Sequence, residues 1–208
     1  MTIKLYGVYP SQPFRAVKWF LELNDIKYDE ILIDVTKPRS KRKDYIKNIN
    51  PTGRVPSIMD TNNNLILYES GAILQYLSDK YETYNLYPKN IQKRALINQY
   101  MHWHHENTRM ITLRYVGLIM RVDVPLSVWI ESTNLKLKTK IVMKSLKIIN
   151  NKYLGNTKYI NSDRMTIADL MCFEEIIQIE AWNLMGNNYI ENNYKNIHHW
   201  LQRMKTVK

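Results

Sequence analysis

The chain of 208 residues is 45% apolar and 24% charged, which is ordinary globular composition and more chain than one small domain needs. Its 30 Lys and Arg against 19 Asp and Glu leave a net charge of +11, a field that attracts anions. No apolar run approaches the roughly 18 residues of a membrane span, and the single cysteine, Cys172, excludes a disulfide framework or a Cys-rich metal site.

Residues 2–8 alternate, with Ile3, Leu5 and Gly7 on one side, as a half-buried strand does. Because that pattern starts at once, no room is expected for a cleavable signal. Pro10-Ser11-Gln12-Pro13 is a turn cluster, with Pro13 where a first helical turn tolerates proline. Phe14, Val17 and Leu21, with Trp19, Phe20 and Leu23, form a helical stripe that ends near Asn24. Tyr28 to Val35 reads as a second strand, and Pro38 to Asn50 as a basic, irregular helix or loop. Val55 to Met59 and Leu65 to Tyr68 form a hairpin around Asp60-Thr61-Asn62-Asn63-Asn64, and Ser70 opens a helix to about Tyr81. Beyond a linker at Tyr84 to Lys89 the periodicity is helical throughout. It predicts Ile91 to about Met120, a break near Asp123-Val124-Pro125, Leu126 to Leu154, Thr166 to about Met185, and Ile197 to Met204.

The fold class expected is therefore α/β followed by all-α: a βαβαββα domain over 1–83 with a mixed sheet, then an all-helical domain over 90–208. Residues 1–80 hold 12 Lys and Arg against 9 Asp and Glu, a net of +3; residues 81–208 hold 18 against 10, a net of +8. No nucleic-acid motif accompanies this charge. It reads first as a solubilising surface, with docking to an acidic protein as the alternative. The row Lys136, Lys140, Lys144 and Lys147 along one helix face is the obvious dock.

Four places in the first domain carry chemistry. Ser11 sits beside a helix N-terminus, where partial positive charge favours an anion. With Ser11 and Phe14 at the ends of that turn, no dithiol cycle can run there. A hydroxyl so placed either caps the helix or donates to the thiolate of a ligand. Asn50-Pro51-Thr52-Gly53-Arg54-Val55-Pro56 has the form of a turn entering a strand through a cis-proline, which leaves the backbone groups of Val55 open to an extended peptide. Glu69-Ser70 hands a strand to a helix and offers an acceptor for an ammonium group beside donors for a carboxylate. The basic run Lys37 to Lys43 could reach a second carboxylate or simply be solvated.

Together these residues resemble the glutathione transferase family, and Ser11-Gln12-Pro13 with Arg15-Ala16-Val17 looks theta-like. The likeness continues through Asn50-Pro51, Val55-Pro56, Glu69-Ser70 and Ala72-Ile73-Leu74 to Trp103–Arg109 and Met165-Thr166-Ile167-Ala168-Asp169-Leu170. It implies a thioredoxin-like first domain and glutathione as co-substrate, with no tightly bound cofactor and no metal. Ser11 would donate to the glutathione thiolate and Gln12 would support the turn. Arg54, Val55 and Pro56 would meet the cysteinyl backbone, and Glu69 and Ser70 the γ-glutamyl end. The glycyl carboxylate would fall to Lys41, or to Ser40 when the loop is counted from the other side. Tyr6 is a rival for the thiol contact. Tyr9, Phe14, His105, Arg109 and Leu113 would line the electrophile pocket. The resemblance further implies a cytoplasmic homodimer that conjugates small electrophiles or reduces peroxides. Theta-like enzymes carry a tail past the last helix, so an open pocket and weak activity are expected, and the alternative is an inactive subunit, mitochondrial or part of a larger assembly.

Overall fold

A computed structural model describes residues 2–35, 37–38, 42–113 and 135–207, with the backbone alone for 135–138. They fall into two compact units, Met1–Pro88 and Lys89–Lys208. The first unit is built as β1 (Ile3–Gly7), α1 (Gln12–Leu23), β2 (Tyr28–Leu32), α2 (Lys43–Asn48), β3 (Ser57–Asp60), β4 (Leu65–Tyr68) and α3 (Ser70–Lys80). The sheet order is β2-β1-β3-β4, with β1 and β2 parallel and the other two pairings antiparallel. This is the mixed sheet that the alternation of strands and helices predicts, in the thioredoxin-like arrangement that the resemblance implies.

The pleat decides what lies on each face. Ile3 and Leu5 are fully buried, and Gly7 lies under Phe14 of α1, where an added Cβ would come within 1.8 Å of the ring. Glycine is required there because α1 crosses the strand too closely for any side chain. Burial of Phe14, Val17, Phe20 and Leu21 from α1 and of Ile73, Leu74 and Leu77 from α3 forms the core of this layer. Each such side chain contributes about 1.5–3 kcal/mol. Tyr6 points to the opposite face, where its ring meets Tyr45 of α2 at 6.0 Å between centroids.

The second unit comprises α4 (Ile91–His104), α5 (Leu135–Ile148) running into a π-helical turn (Ile149–Tyr153), α6 (Ile167–Ala181), α7 (Tyr189–Asn193) and α8 (Lys195–Lys205). The long helix predicted from Ile91 is interrupted after His104 by a turn at 105–109, and helical structure resumes at 110–113. Asn107 is the reason. Its side-chain amide donates to the Trp103 carbonyl at 2.9 Å while its own N–H turns to the His104 carbonyl, so the side chain displaces the regular ladder bond. The expected break at Asp123-Val124-Pro125 lies outside the described residues, as does the stretch 126–134 of the next predicted helix. Of the basic segment 38–50, Lys43–Asn48 is helical. α7 was not anticipated.

Candidate active site

Three of the four sequence motifs meet at one end of the sheet. Tyr6 pairs with Ser57 across β1 and β3, and Ser57 with Tyr68 across β3 and β4. The chain leaving β1 therefore reaches Ser11, the chain entering β3 passes Val55-Pro56, and the chain leaving β4 reaches Glu69-Ser70, all at the same edge. Two strand spacings span about 10 Å, the length of an extended tripeptide.

Ser11 precedes α1 with extended backbone, φ −81° and ψ 115°. Its N–H donates to the Val8 carbonyl at 2.9 Å, and its carbonyl accepts from Arg15 at 3.0 Å. Its half-buried hydroxyl makes no capping bond to the helix. The first turn of α1 holds no acidic residue, so its positive end is not neutralised locally. Gln12 beside it is 2% exposed and belongs to the buried frame of the turn.

The loop before β3 is held from within. The Asn50 side-chain amide donates to the Arg54 carbonyl at 2.9 Å and to Ser57 Oγ at 3.1 Å, while its oxygen accepts from Thr52 N–H and Oγ1 at 3.0 and 2.8 Å. Gly53 takes φ 68°, a conformation that a side chain would strain. Tyr45 donates to the Arg54 carbonyl at 2.6 Å, and Arg42 donates to the Gly53 carbonyl at 2.7 Å and the Lys37 carbonyl at 3.2 Å. Val55–Pro56 is a cis peptide bond, and the backbone N–H and carbonyl of Val55 have no hydrogen-bond partner among the described residues. Tyr45 and Arg42 are anchors that sequence reading missed. Their partners are carbonyls, which no residue pattern advertises.

Glu69 sits at φ 72°, ψ 108°, an unusual backbone state for a residue with a side chain, costing on the order of 1–3 kcal/mol. That turn starts α3 abruptly, with Ser70 4% exposed at its first position and the exposed Glu69 carboxylate standing beside it. The edge continues between β2 and α2 into a cleft of ≈ 310 Å³, lined among others by Leu32, Lys37, Arg42 and Tyr45. Lys41 and Ser40 lie outside the described residues. Tyr6, the rival thiol contact, is buried against Tyr45, and burial raises its phenol pKa.

The residues expected to line an electrophile pocket are placed unevenly. Tyr9 is 51% exposed, with its hydroxyl donating to Glu30. Phe14 is fully buried over Gly7 and has no ring face left for a substrate, a correction forced by the close crossing of α1 and β1. In the second unit His105 is exposed and Leu113 is 39% exposed. Arg109 turns inward, donating to Glu175 at 2.6 Å; Glu175 is 1% exposed and also accepts from Thr112. The guanidinium thus neutralises a buried carboxylate, a duty other than the one that the resemblance implies. Cys172 is fully buried and burial raises its thiol far above the ordinary range, so it is no nucleophile.

His104, adjoining this network, is 1% exposed, with Nδ1 3.3 Å from the Tyr100 hydroxyl and Nε2 without a partner among the described residues. Burial, with Arg109 and His105 adding positive charge, pushes its imidazole down to about 3. The folded value lies below the unfolded ~6.5, so the stability it contributes is present above pH ~6.5 and lost as pH falls toward 3. By pH ~4 that loss is about 3 kcal/mol. Urea unfolding of wild type and His104→Asn should show it as a gap that closes on acidification. Parallel pH curves would refute this account.

A sheet end that presents a hydroxyl beside a helix N-terminus, an unpaired stretch of backbone and an acid-and-serine corner offers donors and acceptors suited to a short peptide. The comparisons agree. The glutathione S-transferase N-terminal domain model matches residues 5–85, and the C-terminal domain model residues 130–208. Glutathione S-transferase T1 of Arabidopsis thaliana is 33% identical over 209 residues, covering 99% of this chain and 84% of that protein. Human glutathione S-transferase theta-2 is 32% identical over 184 residues, covering 86% of this chain and 72% of its own length. A human theta-class transferase solved with the glutathione conjugate of 1-menaphthyl sulfate superposes with TM-score 0.81 at 28% identity, covering 100% of this chain and 83% of that one. The chain belongs to the glutathione S-transferase family, on its theta-like side.

Proposed function

We propose that the chain binds glutathione along the end of its four-stranded sheet and conjugates it to small electrophiles. The observation that carries this reading is the convergence of Ser11, Val55 and Glu69-Ser70 through the paired residues Tyr6, Ser57 and Tyr68. Ser11 donates to the sulfur, Val55 pairs with the cysteinyl backbone, Pro56 and Arg54 frame it, and Glu69 with Ser70 holds the γ-glutamyl amine and carboxylate. Gln12 supports the turn and Lys41 takes the glycyl carboxylate.

The thiol gives its proton to solvent. Ser11 and the positive end of α1 stabilise the anion, and the sulfur lone pair forms the C–S bond as the leaving group departs with its electrons. Lowering a thiol pKa by about two units from ~8.5 raises the ionised share at neutral pH from a few per cent to roughly three quarters. Tyr9, exposed on the first unit, flanks the electrophile. Peroxide reduction, in which two glutathione molecules become a disulfide, uses the same thiolate. The working form is a homodimer in the cytoplasm. Among the described residues no helix is long and apolar enough to cross a membrane. The alternative of an inactive subunit docked to an acidic protein draws no support from the theta-class relatives.

Calorimetry with reduced glutathione, paired with a conjugation assay on an aryl halide and an alkyl halide, tests the reading. Saturable binding and turnover of at least one are expected. A chain that does neither is not a transferase.

A further inference from the structure

We propose that the lysine face of α5 is a docking surface for membranes carrying anionic lipid. From residue 132 to residue 162 the chain has seven lysines and no Asp or Glu, and five of the seven fall on α5. The helix is divided cleanly. Val142, Ser145 and Leu146 are fully buried, while Lys140, Met143, Lys144 and Lys147 are exposed. Steps of three and four residues put these last four on one face about 10 Å long.

Lys140, Lys144 and Lys147 have no ion pair or hydrogen bond among the described residues. Three acidic groups of the same unit are engaged elsewhere: Glu175 with Arg109, Glu180 with Lys205, and Asp169 deep in the interior. A row of like charges with no internal counter-charge is stabilised by an external polyanion. Clusters of lysine on an amphipathic helix fit the headgroups of acidic lipids, each lysine near the surface adding about 1 kcal/mol, and this helix carries five in sequence with three on the exposed face.

The geometry favours lying on such a surface rather than entering it, because the apolar side of α5 already packs in the core. Met143 stands between the lysines, 38% exposed, with the Tyr189 hydroxyl donating to its sulfur at 3.2 Å. A small apolar spot amid cations suits the boundary between headgroup and acyl chain. Tyr189 is half-buried and tied to that sulfur, so it is a poor platform for stacking nucleic-acid bases.

The test is co-sedimentation of the full chain with phosphatidylcholine vesicles, with and without phosphatidylserine. Binding is expected only with phosphatidylserine, and should fall more than about tenfold between ~0.1 M and ~1 M salt as the Debye length shrinks from ~10 to ~3 Å. Each lysine near such a surface is worth roughly fivefold, so K140Q/K144Q/K147Q should weaken partitioning by about 100-fold. The control K27Q/K47Q/K93Q removes equal charge from exposed sites elsewhere and should weaken it by less than about fivefold. Glutathione conjugation by the α5 variant, followed in parallel, should stay at the wild-type rate. Equal losses in both triple variants would mean that net charge alone binds the vesicles, and the proposal fails. It fails also if duplex DNA or RNA at the same phosphate concentration competes the chain off the vesicles.

Discussion

Replacing Ser11 by alanine should lower kcat/KM for conjugation by about 100- to 1,000-fold, the usual effect of removing one donor aimed at a developing or standing anion. The expectation rests on a hydroxyl beside a helix N-terminus that makes no capping bond, so its loss leaves the fold intact and the sulfur without its donor. Contacts through Val55 and Glu69-Ser70 remain, so glutathione should still bind within about threefold of wild type while kcat falls. The bound thiol should ionise closer to its free value of ~8.5, read directly from the ultraviolet absorbance of the thiolate across a pH series. Tyr6→Phe is the discriminating control. Tyr6 lies on the opposite side of the pleat, against Tyr45, and its loss should change the rate by less than about twofold. A larger effect at Tyr6 than at Ser11, or an unchanged thiol ionisation in Ser11→Ala, would transfer the sulfur contact away from Ser11.

Much of this site could be read from sequence because its parts are local. The alternation in β1 set Gly7 inward and Tyr6 outward, and Ser11-Gln12-Pro13 announced a helix start beside that strand. The turn at Asn50–Pro56 likewise carried its own signature, down to the cis bond that the structure contains. The supports were not legible because they depend on distant chain. Arg42 belongs to a basic run that looks solvated, and it meets the Gly53 carbonyl only after α2 folds back over the loop. Arg109 and Glu175 are 66 residues apart, and neither helix pattern hints that the buried carboxylate is met by that part-buried guanidinium. The interruption after α4 has another cause. Apolar periodicity runs on past His104, whereas Asn107 diverts the ladder with one side-chain bond, a local competition that periodicity does not register.

Asp169→Ala should be the most destabilising single change in the second unit. The capping motif at Thr166 was visible in sequence as a structural helix start, but the carboxylate serves more than its helix. Oδ2 accepts from Thr166 N–H at 2.8 Å and Thr166 Oγ1 at 3.0 Å; Oδ1 accepts from Ile160 N–H at 2.8 Å and from the Trp200 indole at 2.9 Å. Asp169 and Trp200 are both fully buried, so one side chain ties the loop before α6 and the centre of α8 to the start of α6. Burial pushes the carboxyl up to about 6, against the pull of these four donors, and at neutral pH it is ionised. Removing it strands three buried N–H groups, at about 1–3 kcal/mol each, which gives roughly 4–6 kcal/mol after relaxation. Most domains have only about 5–15 kcal/mol in hand, so the alanine variant is expected to unfold near room temperature or fail to accumulate. Two milder variants keep the idea measurable. Asp169→Asn retains one acceptor oxygen and should lose about 2–3 kcal/mol in urea unfolding, while Trp200→Phe removes one donor and should lose less. In the double variant the losses should add up to less than their sum by about 1 kcal/mol, because the indole bond can be lost only once. Strict additivity would show that Trp200 and Asp169 stabilise the unit independently, and that the carboxylate is a cap and nothing more.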